Sequence, residues 1–194
     1  GRAAGLIVIA DAKRGDIGTT MQGYADAWLA EGAALEADAV TLSPYLGAGS
    51  LASVLGEATA RGKGAFVLAA TSNPEGASVQ TARGADGRSV AAHIAGEMTA
   101  IGAVAPLRPV GLVIGATVDR NAFGLSDAML AEVPLLAPGF GAQGATPEDL
   151  LTRFGALARN VLASESRSIL AAGPEAIPAT IEAQAARYRE VLGG

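Results

Sequence analysis

The sequence predicts an α/β protein of the (β/α)8 TIM barrel class, with the first two strands absent from these 194 residues. Three observations carry that reading. Short apolar runs recur along the chain, segments with helical spacing alternate with them, and polar residues fall just after successive runs. The runs are apolar on both faces, as parallel strands covered by helices must be. Alternation alone fits an open doubly wound sheet as well as a closed barrel. Polar residues after nearly every strand suit a barrel mouth better than the single crevice of an open sheet.

Six strands are expected, at residues 6–10, 39–42, 65–69, 111–115, 135–137 and 161–163, each bounded by Gly, Pro, Asp, Ser or Thr. An eight-stranded barrel then lacks two, which would precede Gly1. Between the strands, residues 20–36 place Tyr24, Ala27, Trp28 and Leu35 along one broad helical face. Ser50 suits an N-cap for the helix carrying Leu51, Val54 and Leu55. Thr146-Pro147-Glu148-Asp149 is a stronger start signal, with an N-cap Thr, Pro in the first turn and early carboxylates. The last helix follows Gly173-Pro174 and repeats Ile177, Ile181, Tyr188 and Val191 at helical spacing. Residues 1–194 read as one domain.

Composition narrows the function. Half the residues are hydrophobic but only 4% are aromatic, so the core must be aliphatic. With no Cys, neither a disulfide framework nor a thiolate metal site can form. The single histidine, His93, cannot build a multi-histidine zinc centre; no metal and no cofactor are expected. No apolar stretch approaches the roughly 20 residues of a membrane span, and no secretory signal is visible, so a cytoplasmic location without a membrane partner is expected. The net charge of −5 argues against a broad nucleic-acid-binding face. An anionic ligand must therefore be met by a local cluster of donors. Of the 14 basic residues, only Lys13 and Lys63 are lysines. Lysine can give up a proton at accessible cost where arginine cannot, which marks Lys13.

The richest segment is Asp11-Ala12-Lys13-Arg14-Gly15-Asp16-Ile17. Residues two apart in a strand share a face, so Asp11 and Lys13 should both point into the barrel. Asp16 follows after Gly15 allows a turn. An ordinary strand-end turn with surface charges is the bland alternative. Dense charge at the end of a buried strand favours a functional site, because buried ion pairs are costly. A second segment, Pro138-Gly139-Phe140-Gly141-Ala142-Gln143-Gly144-Ala145, holds three glycines that permit close approach to a ligand. Gln143 is a neutral donor there, and the helix start at Thr146 adds N–H groups suited to an anion. A flexible connection would look similar. In the third, Ser164-Glu165-Ser166-Arg167-Ser168, Arg167 could hold a phosphate beside that loop, or be a plain surface arginine. Together the last two segments point to a phosphate. His93 reads as packed or surface, Trp28 as core or interface, and Glu97 as part of a solvated face.

Read together, these segments resemble the orotidine 5′-monophosphate decarboxylases, specifically the bacterial type 2 branch. Asp11 to Ile17 matches the family's D-x-K-x-x-D-I core, and Ala70-Thr71-Ser72-Asn73-Pro74 is similar to its base-contacting segment. Pro138 to Gly144 resembles its phosphate loop, and Ser166-Arg167-Ser168-Ile169-Leu170 with Ala172-Gly173-Pro174 the type 2 ending. The resemblance implies that Lys13 protonates C6 of the pyrimidine after carbon dioxide leaves. Asp11 would lie against the substrate carboxylate and help hold Lys13 charged. Asp16 and Thr20 would reach into a neighbour's site, which implies a homodimer, and Ile17 counts with the substrate-binding residues. Ser72 would contact the pyrimidine, Pro138 would line the pocket, and Gln143 and Arg167 would bind the phosphate. The ligands implied are orotidine 5′-monophosphate and uridine 5′-monophosphate. Ser166 stands where many members carry Gly, and the family's ribose-binding acid and network lysine have no counterpart after Gly1. Metal-dependent hexulose-phosphate synthase or keto-gulonate-phosphate decarboxylase relatives share the Asp-Lys core and are the runner-up. A noncatalytic phosphate-binding barrel fragment is the other alternative.

Overall fold

The structure is a computed structural model that describes residues 1–102 and 109–193. Strands β1 (Ile9–Arg14), β2 (Ala39–Leu42), β3 (Gly64–Ala70), β4 (Val110–Ile114), β5 (Leu135–Pro138) and β6 (Val161–Ser164) form one sheet in chain order. Every neighbouring pair is parallel. The connections carry α1 (Gly18–Leu29), α2 (Ala52–Ala60), α3 (Pro74–Gln80), α4 (Val90–Gly102), α5 (Asp127–Leu130) and α6 (Asp149–Phe154). The short α7 (Arg167–Leu170) and the long α8 (Ile177–Val191) follow β6. Parallel neighbours joined by helical crossovers curl the sheet into a partial barrel.

Strand alternation sorts the apolar side chains. Val40, Leu42, Val67, Leu112, Ile114 and Leu135 face outward against Met21, Leu29, Leu55, Met98, Leu130 and Phe154 in the main core. On the concave face Ile9, Ala39, Phe66, Leu68, Val113 and Leu136 form a second, smaller cluster. Phe66 fills the space over Gly111, where a Cβ would sit only 2.6 Å from its ring. That small cluster is the floor on which the site is built.

Five of the six expected strands fall within a residue of their observed limits, and the first does not. β1 starts at Ile9 and runs through Arg14, while Leu6 and Ile7 are 63% and 83% exposed. The charged motif is therefore part of the strand instead of following it. The first helix stops at Leu29, not at residue 36, because the backbone becomes extended at Ala30, with ψ 139°, and turns again at Gly32, leaving Leu35 exposed. Ser50 lies inside a short 3-10 turn and bonds back to the Gly47 carbonyl at 2.7 Å, so it caps nothing. Thr146 is not the N-cap expected of it, because α6 begins only at Asp149 with Glu148 at the cap position. Its N–H and hydroxyl both donate to Asp149 Oδ2, at 2.8 and 3.1 Å, and tighten the turn that leads into the helix. α8 falls where its periodicity placed it, with Tyr188 and Val191 against the core and Ile181 exposed.

At the opposite end of the strands from the charged motif, Glu36 gathers three donors. Lys63 Nζ lies 2.8 Å away, Arg2 2.6 Å, and the Gly32 N–H 2.8 Å. The Lys63 bond above all, then the Gly32 N–H, holds its carboxyl down to about 2. A depressed folded-state value means the stabilisation is complete above the ordinary value of about 4.5 and is lost as pH falls toward about 2. Glu36→Gln is therefore expected to lower the urea midpoint at pH 7, with the gap to wild type closing between pH 4.5 and 2. A gap independent of pH would show that this network contributes nothing through charge.

Candidate active site

The motif sits on a distortion of β1. Ile9 and Ala10 pair with Ala39 and Val40, but the next partner pair is Arg14 with Leu42. Four steps on β1 thus span two on β2, a bulge centred on Asp11 to Lys13. Lys13 has φ +49°, the one left-handed non-glycine among the described residues. Bulges and such backbone outliers re-aim side chains and concentrate at functional sites. Expectation put Asp11 and Lys13 on one face by regular pleating. They do meet, as an ion pair between Lys13 Nζ and Asp11 Oδ2, but the bulge brings them together.

Thr41, fully buried in β2, underlies the pair. Its hydroxyl accepts the Lys13 backbone N–H at 3.0 Å and donates to Asp11 Oδ1 at 2.9 Å. Gly15 then lets the chain cross the end of β2. A Cβ there would collide with the Ser43 carbonyl oxygen and sit 3.1 Å from its carbon. Beyond it, Asp16 Oδ1 accepts the Ile17 N–H at 2.8 Å, at the entry to α1.

The connection from β3 to α3 carries Ser72 and a side-chain network that sequence reasoning missed. Gln80 Oε1 accepts the Thr71 N–H at 2.9 Å and Gln80 Nε2 donates to Thr71 Oγ1 at 2.9 Å. Thr71 Oγ1 in turn donates to Asn73 Oδ1 at 2.6 Å. The glycine loop after β5 is tightly turned, with Gly139, Gly141 and Gly144 all at positive φ. Gly144 N–H bonds Gly141 O at 2.9 Å and Gly141 N–H bonds Ala145 O at 2.7 Å, so the loop is ordered by its own backbone. Its bonding does not fit a merely flexible connection.

Over the concave cluster lies a cavity of about 760 Å³, within the range of small-molecule sites. Asp11, Lys13, Ser72, Pro138 and Gln143 line it, together with Asn73, Gln80, Ser164 and Ser166, above Ile9, Leu68, Val113 and Leu136. Five of the nine residues singled out from sequence are thereby brought together. Asp16, Ile17, Thr20 and Arg167 do not line it. The first three sit at or just before the start of α1, with Ile17 63% exposed, and Arg167 opens α7 as an exposed side chain. Among the described residues no cluster of three His, Cys, Asp or Glu side chains could hold a metal. His93 is half-exposed, 2.9 Å from Glu97. Lys63 belongs to the Glu36 network at the far end of the strands.

Fold and site define a β/α-barrel protein with a lysine–carboxylate pair at its mouth and a glycine loop opposite. The profile of the orotidine 5′-phosphate decarboxylase / HUMPS family matches residues 1–180, and the chain belongs to that family. An orotidine 5′-phosphate decarboxylase of Salinispora tropica is 51% identical over 177 residues, 91% of this chain and 63% of that protein. The Salinispora arenicola protein of the same name is 49% identical across the whole chain and 69% of its own length. Among solved structures, one assigned to an orotidine 5′-phosphate decarboxylase of Streptomyces avermitilis superposes with a TM-score of 0.91 at 47% identity, over the whole chain and 68% of the other. The Leishmania donovani OMP decarboxylase gives 0.75 at 30% identity, over 98% of this chain and 70% of the other. The chain thus spans about two-thirds of the length of these relatives, and slightly less of the S. tropica protein.

Proposed function

We propose that the protein decarboxylates orotidine 5′-monophosphate to uridine 5′-monophosphate and carbon dioxide. The observation that carries this reading is the Lys13–Asp11 pair, set across one cavity from Ser72 and Gln143. The pyrimidine lies against Ser72 and Pro138, with its carboxylate toward Asp11 and Lys13. The bond from C6 to the carboxyl carbon breaks, carbon dioxide leaves, and the electron pair stays on C6. The Lys13 ammonium stabilises that charge and then delivers its proton to C6. Gln143 and Arg167 hold the phosphate far from the reacting carbon, where its binding energy can order the site around the base. No metal or organic cofactor enters these steps.

The working unit is a homodimer in which Asp16 and Thr20 serve the neighbour's cavity, with Ile17 between them counted among the substrate-binding residues. Their place at the rim, off their own chain's cavity, supports that reading. No helix among the described residues is long and apolar enough to cross a membrane, and the enzyme is assigned to the cytoplasm, with no nucleic-acid partner.

The test is loss of orotidine 5′-monophosphate absorbance by the full expressed polypeptide with chelator present. Turnover under those conditions is expected. A folded, full-length protein that leaves the nucleotide intact, or that acts only on a sugar phosphate with added divalent metal, would overturn the proposal.

A further inference from the structure

We infer that Glu165 is a positioning residue for the phosphate subsite, tying α8 to the glycine loop and to the turn that carries Arg167. The inference rests on the phosphate site proposed above. Glu165 follows the last residue of β6, and its carboxylate accepts three hydrogen bonds from uncharged donors. Ser168 Oγ donates at 2.8 Å and Gln184 Nε2 at 3.3 Å to Oε2, and the Tyr188 hydroxyl donates at 2.7 Å to Oε1. Two of the three donors stand on α8, and the third is next to Arg167 in α7.

The glycine loop rests directly on this network. A Cβ on Gly141 would lie 2.7 Å from Ser168 Cβ and 3.0 Å from Glu165 Oε2, so the loop backbone occupies space that no side chain could share. Phe140, one residue earlier, packs edge-on against the Tyr188 ring with centroids 5.8 Å apart. Tyr188 therefore touches the loop with its ring and Glu165 with its hydroxyl. One helical position earlier, Arg187 pairs with Glu148 at 2.7 Å, just beyond the loop. A single turn of α8 thus grips both flanks of the proposed phosphate position.

The chemistry of the network suits a fixed hold. A half-buried carboxylate has lost water and keeps its place only while its acceptors are filled. Burial, reinforced by the bond to Glu165, pushes the Tyr188 phenol well above its ordinary value, so it remains a donor throughout the working pH range. α8 contributes no fully buried side chain of its own, and these polar ties add to the packing of Tyr188 and Val191 against the core.

A purely structural tie would weaken every ligand alike or only lower the melting temperature. A positioning role acts through the phosphate. The test compares uridine 5′-monophosphate with uridine, by calorimetry and competition, on the full-length protein carrying Glu165→Ala or Tyr188→Phe, with KM and kcat for orotidine 5′-monophosphate measured alongside. Glu165→Ala is expected to weaken the nucleotide and raise KM by about tenfold or more, and Tyr188→Phe by about threefold, with uridine binding unchanged. Tyr188→Phe keeps the ring against Phe140 and carries the test by itself if Glu165→Ala does not fold. Equal losses for nucleotide and nucleoside, or none for either in a folded variant, would overturn the inference. If the unsubstituted protein binds the nucleotide but does not decarboxylate, the reaction proposed above falls and the same comparison still decides this one. If it binds no nucleotide, both fall.

Discussion

Lys13→Ala is expected to reduce turnover of orotidine 5′-monophosphate by a factor of about 10⁴ or more, while uridine 5′-monophosphate still binds within about tenfold of wild type. The size follows from the two tasks placed on one amine. It stabilises charge developing at C6 and then supplies the proton that quenches it, so its removal affects both. The product has no carboxylate to bring near Asp11, and its phosphate and base are met by Gln143, Arg167 and Ser72, which the substitution leaves alone. Single-turnover kinetics and product titration on the same preparation separate the effects. Near-normal turnover would remove the central residue of the proposal. The same variant probes the dimer. Mixed one-to-one with Asp16→Ala subunits, it should recover about a quarter of native activity, because half the dimers would carry one intact site of two. Two inactive parents that stay inactive on mixing would place Asp16 outside the neighbour's site.

The second large effect is expected from adding one methyl group. Gly15→Ala directs its Cβ into the backbone carbonyl of Ser43, just past the end of β2, and a main-chain carbonyl cannot swing aside as a side chain can. Either the end of β2 moves or the Lys13 segment lifts from it. The cost is about 1–3 kcal/mol of stability for the overpacked contact, and about 100-fold in turnover for a shift of order 1 Å at the bulge. Denaturant midpoints and kcat measure the two. Gly23→Ala, on α1 with nothing within 4 Å of the added carbon, is the control and should be neutral or slightly stabilising. A Gly15 variant that behaves like the Gly23 variant would mean that the crossing of β1 over β2 is not what sets the motif.

Much of this architecture could be read from the chain because buried parallel strands leave a plain mark. Residues 65–69, 110–114 and 135–137 are apolar on both faces and bounded by turn formers. The first strand was misplaced because Leu6, Ile7 and Val8 are as apolar as any strand, and apolarity does not say whether a neighbour is there to cover it. The first helix is shorter than its pattern suggests because Ala33, Ala34 and Leu35 prolong the apolar periodicity past Ala30, where the backbone is already extended. At the site, the motif residues announced themselves by charge density. Their supports did not. Thr41 reads as β-branched strand filler, Gln80 as the last polar residue of a helix, and Glu165 as one more acid in a polar loop. Each acts through a partner between 3 and 30 positions away, and local pattern does not encode such pairings.

Thr41 has one consequence for how the sequence can change over time. Its hydroxyl takes the Lys13 N–H, which can only donate, and so has its single proton free for Asp11. The direction of both bonds is set by the main chain. Valine would copy the shape of threonine and offer neither bond, and a larger polar side chain would not fit a fully buried site. Serine alone preserves the pair of contacts. Lineages descending from this chain are therefore expected to drift at position 41 between two residues only, a narrower freedom than that of the exposed charges it supports.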